Sequence, residues 1–121
     1  MNEPALFYRG FVWHLIADWL FQNHWMANHK QDLNDPAAWV HAGIHLMAML
    51  RVFTFPVALV LAIVHMLIDT RKPLQWWRRL YRQTTIDMNN QAGWTVAIWG
   101  DQVVHIVCIA LAAWLTMLRE N

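Results

Sequence analysis

The chain has 121 residues, room for one domain, and only 14% of them are charged against 58% hydrophobic, where a soluble domain is ordinarily about one quarter charged. Nine tryptophans and seven methionines accompany a formal charge of +1, so no basic face is available for a nucleic-acid duplex and that partner is excluded. The lone cysteine, Cys108, excludes a disulfide framework and a cysteine-based zinc module built from this chain.

The balance is that of a membrane protein. A mean hydropathy of +0.23 is low for several spans, which requires polar residues inside the apolar segments. The start, Met1-Asn2-Glu3-Pro4, has no basic stretch leading into an apolar run, so no cleaved signal peptide is expected.

The first segment, 5–27, has no internal proline and is long enough to cross a bilayer as a helix. The polar stretch from Asn28 to Asp35 reads as a loop, and Pro36 suits the first position of a second helix over 36–53. Pro56 opens a third apolar helix over 56–70, ended by Arg71-Lys72-Pro73. These two helices are short for spans, so tilted or partly re-entrant packing is expected.

In 74–90 the residues Leu74, Trp77, Tyr81, Thr84 and Met88 share one helical face, and Arg78, Arg79, Arg82 and Gln83 fall largely on the other. This predicts a helix lying in the membrane interface with its arginines on anionic head groups; an ordinary surface helix is the other reading. The last apolar segment, 92–118, crosses with residues to spare. The expected fold is therefore all-α: a polytopic membrane four-helix bundle plus one amphipathic interfacial helix, a single domain whose partner is the lipid bilayer. The basic residues Arg71, Lys72, Arg78, Arg79 and Arg82 place the 71–91 connection in the cytoplasm and both termini outside it.

Each of the four apolar segments carries ligand-type side chains four residues apart: His14 with Asp18, His41 with His45, His65 with Asp69, and Asp101 with His105. That separation puts both side chains on one helix face, about 6 Å apart. Ionisable groups in an apolar setting are costly unless partnered, so the pairs are expected to converge. They then form either a metal-free hydrogen-bonded network or a metal site, and the three aspartates favour a cation, since adjacent carboxylates repel.

Imidazole with carboxylate suits zinc, with iron or manganese as alternatives, and eight candidates fit one ion with supporting residues or two ions. Gln22 and Gln102 are candidates to hold a metal-bound water or to cap the network. His24 lies off the His14–Asp18 face and His29 sits in the loop, so both are left out. Trp13, Trp19, Trp25, Trp94 and Trp99 read as core or interface aromatics.

Taken together, the stretch from His14 to Ala27, His41-Ala42-Gly43-Ile44-His45, His65-Met66-Leu67-Ile68-Asp69 and Asp101-Gln102-Val103-Val104-His105 resemble the DUF3307 family of small bacterial and phage integral membrane proteins. The resemblance spans about residues 11–118 and implies a multi-pass protein of the bacterial inner membrane with no assigned activity. The pattern is also broadly similar to membrane-bound metal-dependent hydrolases, an analogy that transfers no substrate.

The preferred function is a metal-dependent hydrolase acting on a phosphoester, amide or lipid-linked substrate at the interface. The eight side chains would hold the ion, Asp18, Asp69 or Asp101 would serve as general base, and Arg78, Arg79 and Arg82 would recruit an anionic head group. The chain contains no serine, and no nucleophile motif is present. The alternatives are a cation or proton-conducting subunit, for which a homo-oligomer is expected, then an interaction protein with a structural His/Asp network, then haem.

Overall fold

A computed structural model of the chain describes residues 2–81 and 91–121. Among the described residues the protein is all-α, with helices α1 (Glu3–Leu15), α2 (His24–His29), α3 (Pro36–Met49), α4 (Phe55–Asp69), α5 (Lys72–Leu80) and α6 (Gln91–Glu120), and a π-helical turn at Ile16–Leu20.

Local chemistry sets these boundaries. The Asn2 side chain accepts from the Ala5 N–H at 3.0 Å, and Asp35 does the same for Ala37 at 2.9 Å, each satisfying one N–H that the helix itself leaves open. Pro4, Pro36, Pro56 and Pro73 all fall in first turns, where a missing N–H removes no helical bond. Arg71, just ahead of α5, has φ 65°, a left-handed conformation that costs a residue with a Cβ about 1–2 kcal/mol.

The stretch expected to run as one helix over 5–27 is broken. After Leu15 the backbone widens to π-helical bonding, closed by Phe21 N–H to the Ile16 carbonyl at 3.1 Å. The chain then leaves the helix, and Asn23 restarts it by accepting from the Met26 N–H at 2.9 Å. The second helix stops at Met49, short of the expected 53, and the third begins at Phe55 and ends at Asp69. The expected interfacial helix over 74–90 is seen as α5, and residues 82–90, with Arg82, lie outside the described residues.

Helix length also revises the membrane expectation. α1 has 13 residues, α3 has 14 and α4 has 15; at 1.5 Å per residue each covers about 20–23 Å, less than a hydrocarbon layer of about 30 Å. Among the described residues only α6 is long and apolar enough to cross a membrane. Four full crossings are therefore not supported.

α3 and α4 form a helical hairpin, and α6 lies against both α1 and α4. The contact surfaces are small-residue surfaces: Ala17, Ala48, Ala58 and Ala113 are buried with Leu6, Met49, Phe53, Leu61 and Ile109. Large apolar side chains such as Val60, Ile63, Leu67, Val103, Val107 and Leu111 face outward. Inside, beside the alanines, lie His14, Asp18, His41, His45, His65, Asp69, Gln102 and His105, all buried. The polarity of an ordinary soluble domain is thus inverted.

Gly10 marks the close approach of α1 to α6. A Cβ there would stand 2.8 Å from Ile109 Cγ2 and 3.1 Å from the Phe53 ring, whereas one at Gly43 on α3 would meet nothing within 4 Å. Gly10→Val is expected to destabilise the detergent-solubilised protein by about 1–3 kcal/mol through overpacking. Gly43→Ala is expected to stabilise it by up to about 1 kcal/mol through helix propensity; denaturant or thermal unfolding of the two variants checks the contrast.

Candidate metal centre

The helical spacing read from the sequence brings three of the four pairs together, and of the fourth, Asp101 with His105, only His105 joins them. α1 and its π turn contribute His14 and Asp18, α3 contributes His41 and His45, α4 contributes His65 and Asp69, and α6 contributes His105 with Gln102. The π turn matters here, because it carries Asp18 in the segment where the backbone departs from α-helical phase. Inserted π turns of this kind often occur where a side chain must be aimed at a site.

Asp18 is the hub. Its Oδ1 lies 2.9 Å from His45 Nε2, 3.1 Å from His41 Nε2 and 3.6 Å from His65 Nε2. Its Oδ2 accepts from Gln102 Nε2 at 3.0 Å, and the Gln102 carbonyl oxygen is 3.1 Å from His14 Nε2. Gln102 thus orients Asp18 and His14 together, as expected of a supporting residue, and in this arrangement His14 donates through Nε2.

Asp69 is the second carboxylate. Its Oδ2 stands 2.9 Å from His65 Nε2 and 3.3 Å from His41 Nε2, and its Oδ1 stands 3.3 Å from Lys30 Nζ and 3.8 Å from His105 Nε2. Yet neither oxygen of Asp69 and neither ring nitrogen of His105 makes a hydrogen bond among the described residues. Close approach without hydrogen-bond geometry leaves these atoms grouped around a common space, with Lys30 as an ionic partner of Asp69.

That space has the dimensions of a coordination sphere. One ligand atom each from Asp18, His41, His45 and His65 all lie within 4.8 Å of one another, as do those of His14, Asp18 and His105, and those of His65, Asp69 and His105. Ligands about 2.0–2.1 Å from a tetrahedral zinc ion sit about 3.3 Å apart, and the contacts around Asp18 Oδ1, at 2.9, 3.1 and 3.6 Å, bracket that edge. The His45 and His65 rings stack with centroids 3.4 Å apart, and the His65 and His105 centroids are 4.2 Å apart. Imidazolium cations at such separations would repel strongly in a low dielectric, so the packing suits neutral rings, the form that ligates metal.

Asp101 is placed differently. Its Oδ2 is 3.6 Å from His105 Nδ1, its side chain is 22% exposed, and it belongs to none of the three converging groups. It stands instead on the wall of a cavity of about 490 Å³, together with Asp18, Gln22, Asp69 and Gln102. Lys30, Arg71 and Arg78 line the same cavity. Arg79 is exposed and lies away from this wall. His24 and His29 bond within their own turn, to Asn28 and to the Trp25 carbonyl, and stay outside the cluster.

Spacing gave no sign of Lys30 or Arg71. Lys30 sits in a polar loop like any surface lysine, and Arg71 reads as part of a basic run that sets topology. The family described as "Protein of unknown function (DUF3307)" matches residues 6–121. No curated protein and no solved structure matches the chain.

Gln102→Leu keeps the side-chain bulk and removes the bonds to both Asp18 and His14. Leaving a buried carboxylate oxygen unpaired costs about 1–3 kcal/mol, so a lower unfolding midpoint of at least that size is expected. A Gln102→Glu variant, which adds a third carboxylate to the cluster, is expected to fall further in the metal-free protein.

Proposed function

Because the chain belongs to the DUF3307 family, whose description carries no activity, function has to be read from the site, and we propose that the protein is a membrane-embedded, metal-dependent hydrolase. The observation that carries this is the convergence of Asp18, Asp69 and five histidines beside a cavity of ligand size. Zinc suits imidazole and carboxylate donors best, with iron or manganese sharing the preference. The three overlapping groups accommodate one ion or two.

The membrane setting is supported by the outward-facing apolar side chains and by α6. Trp76 and Trp77 of α5 are exposed beside Arg78 and Arg79, the composition of a helix at head-group depth. In this reading α5 lies on the cytoplasmic surface of the bacterial inner membrane, and the shorter helices are packed within the bilayer without each crossing it.

When bound, the ion would supply Lewis acidity and lower the pKa of a coordinated water. The chain's own residues do the rest. Asp69 and Asp18 hold negative charge against the histidines, and Gln102 fixes Asp18 and His14. Asp101, at the boundary between cluster and cavity, is placed to take a proton from water as general base. Gln22, whose Oε1 has no hydrogen bond among the described residues and which lines the cavity, is placed to accept from that water or from substrate.

A conducting role fits less well. A second void beside His14, His45, His65 and His105 has only about 20 Å³ and is otherwise lined by apolar residues such as Met49, Leu61 and Ile109, room for about one water. The larger cavity, which reaches Asp18, Asp69 and Gln102, is the one with room for a substrate.

Elemental analysis of detergent-purified protein is expected to find at least one divalent ion per chain, lost in Asp69→Ala and His65→Ala. Asp101→Ala is expected to keep the ion while hydrolysis of an activated phosphoester such as p-nitrophenyl phosphate falls about 10²–10⁴-fold. Wild-type protein without stoichiometric metal, purified from metal-supplemented cells, would refute the reading.

A further inference from the structure

The cavity has features that a metal site alone does not require. Three cationic side chains, Lys30, Arg71 and Arg78, share its wall with three carboxylates, Asp18, Asp69 and Asp101. The set is formally neutral as it stands. One divalent ion would bring the formal charge of this wall to +2, and a second would double it, beside carboxylates that are themselves buried. A loaded centre therefore favours an added anion, since among the described residues the cavity is lined by no acidic side chain beyond these three.

The positions of two cations say where that anion sits. Lys30 Nζ is 3.3 Å from Asp69 Oδ1, and its side chain is only 14% exposed. Arg71 Nη2 donates to the Gln31 side-chain oxygen at 3.3 Å, in the amide orientation that also bonds the Asn28 carbonyl. Its guanidinium is thus held beside the Lys30–Gln31 turn. The backbone pays for this placement, since Arg71 occupies a φ of 65° that glycine would adopt freely. Strain retained beside a cavity points to a functional side chain.

The cavity lining also includes the apolar side chains of Trp19, Leu74, Trp94, Ala97 and Ile98. About 490 Å³ exceeds what an inorganic anion fills, and it falls within the range of small-molecule sites, about 300–1,000 Å³. We infer that Lys30 and Arg71 form an anion clamp beside the metal centre, and that the cavity takes a phosphate ester with an apolar tail. Guanidinium pairs with phosphate in bidentate fashion and ammonium pairs as a point charge. The inference rests on the metal reading above and adds to it the substrate's chemical class.

The test is isothermal titration calorimetry of zinc-supplemented, detergent-purified protein, with zinc measured on each sample. The probes are inorganic phosphate, a short-chain phosphatidic acid and the matching phosphatidylcholine. Phosphatidic acid is expected to bind about tenfold or more tightly than phosphate, and phosphatidylcholine weakly. Arg71→Gly relieves the left-handed strain, so it is expected to keep its zinc and unfolding midpoint while phosphatidic acid binding weakens about tenfold or more. Lys30→Met is expected to weaken binding similarly.

Zinc-loaded wild type that binds neither probe, or Arg71→Gly that binds as wild type does, overturns the clamp and leaves the metal centre standing. Equal affinity for phosphate and phosphatidic acid overturns the apolar tail and assigns the site to the free ion. Equal affinity for phosphatidic acid and phosphatidylcholine overturns the charge argument. Absence of zinc from the wild type removes the metal reading and the clamp with it.

Discussion

The structure depends on two buried carboxylates. Asp18 and Asp69 lie at the meeting point of the helices, where an isolated carboxylate would cost several kcal/mol to desolvate. Every helix that reaches this point brings an imidazole: His14 from α1, His41 and His45 from α3, His65 from α4 and His105 from α6. Imidazoles offer donors to an anion, but they also carry lone pairs of their own, so a set so rich in acceptors cannot be fully satisfied by hydrogen bonding alone. Asp69, held by ion pairs with Lys30, His41 and His65 but by no hydrogen bond among the described residues, and His105, whose ring nitrogens make none, show where that network is incomplete.

Backbone features follow from the same demand. Alanines at 17, 48, 58 and 113 let the helices approach closely, and Gly10 does so where α1 meets α6. The π turn carries Asp18 in contact distance of α3, α4 and α6 together. The left-handed Arg71 turns the chain sharply after Asp69, so that α5 leaves the end of α4 and contributes Leu74 and Arg78 to the cavity wall. Helix length is subordinate to this geometry: each short helix ends soon after its site residues, at Leu15, Met49 and Asp69.

Much of this was legible from spacing. Side chains four residues apart share a face in any α-helix, so the pairing of His41 with His45 and of His65 with Asp69 follows from the sequence alone, and burial cost supplies the reason to converge. Gln102 stands three residues before His105, a spacing that also shares a face. The break after Leu20 was not legible, since a π turn leaves no composition signature, although Asn23 ahead of His24 is a capping residue in a place where one helix was expected. Span counting failed because apolar composition reports the surroundings of a helix and says little about its length. Asp101 shares the spacing of the other pairs, but spacing fixes a face, and how far along the helix axis a neighbour lies is a tertiary matter. Lys30 and Arg71 became significant only once the fold brought two connecting segments to one wall.

The inverted polarity has an energetic consequence. A domain of this size ordinarily draws its stability from a core of large apolar side chains, yet here the largest fully buried side chains are His14, His41 and His45, and the apolar bulk lies outside. The buried Leu6, Met49, Phe53, Leu61 and Ile109 make only a small apolar core beside the alanines. A divalent ion held by residues from α1, α3, α4 and α6 would tie together every helix that lines the centre, and its binding free energy would be folding free energy. The same ligands would then serve structure and chemistry at once.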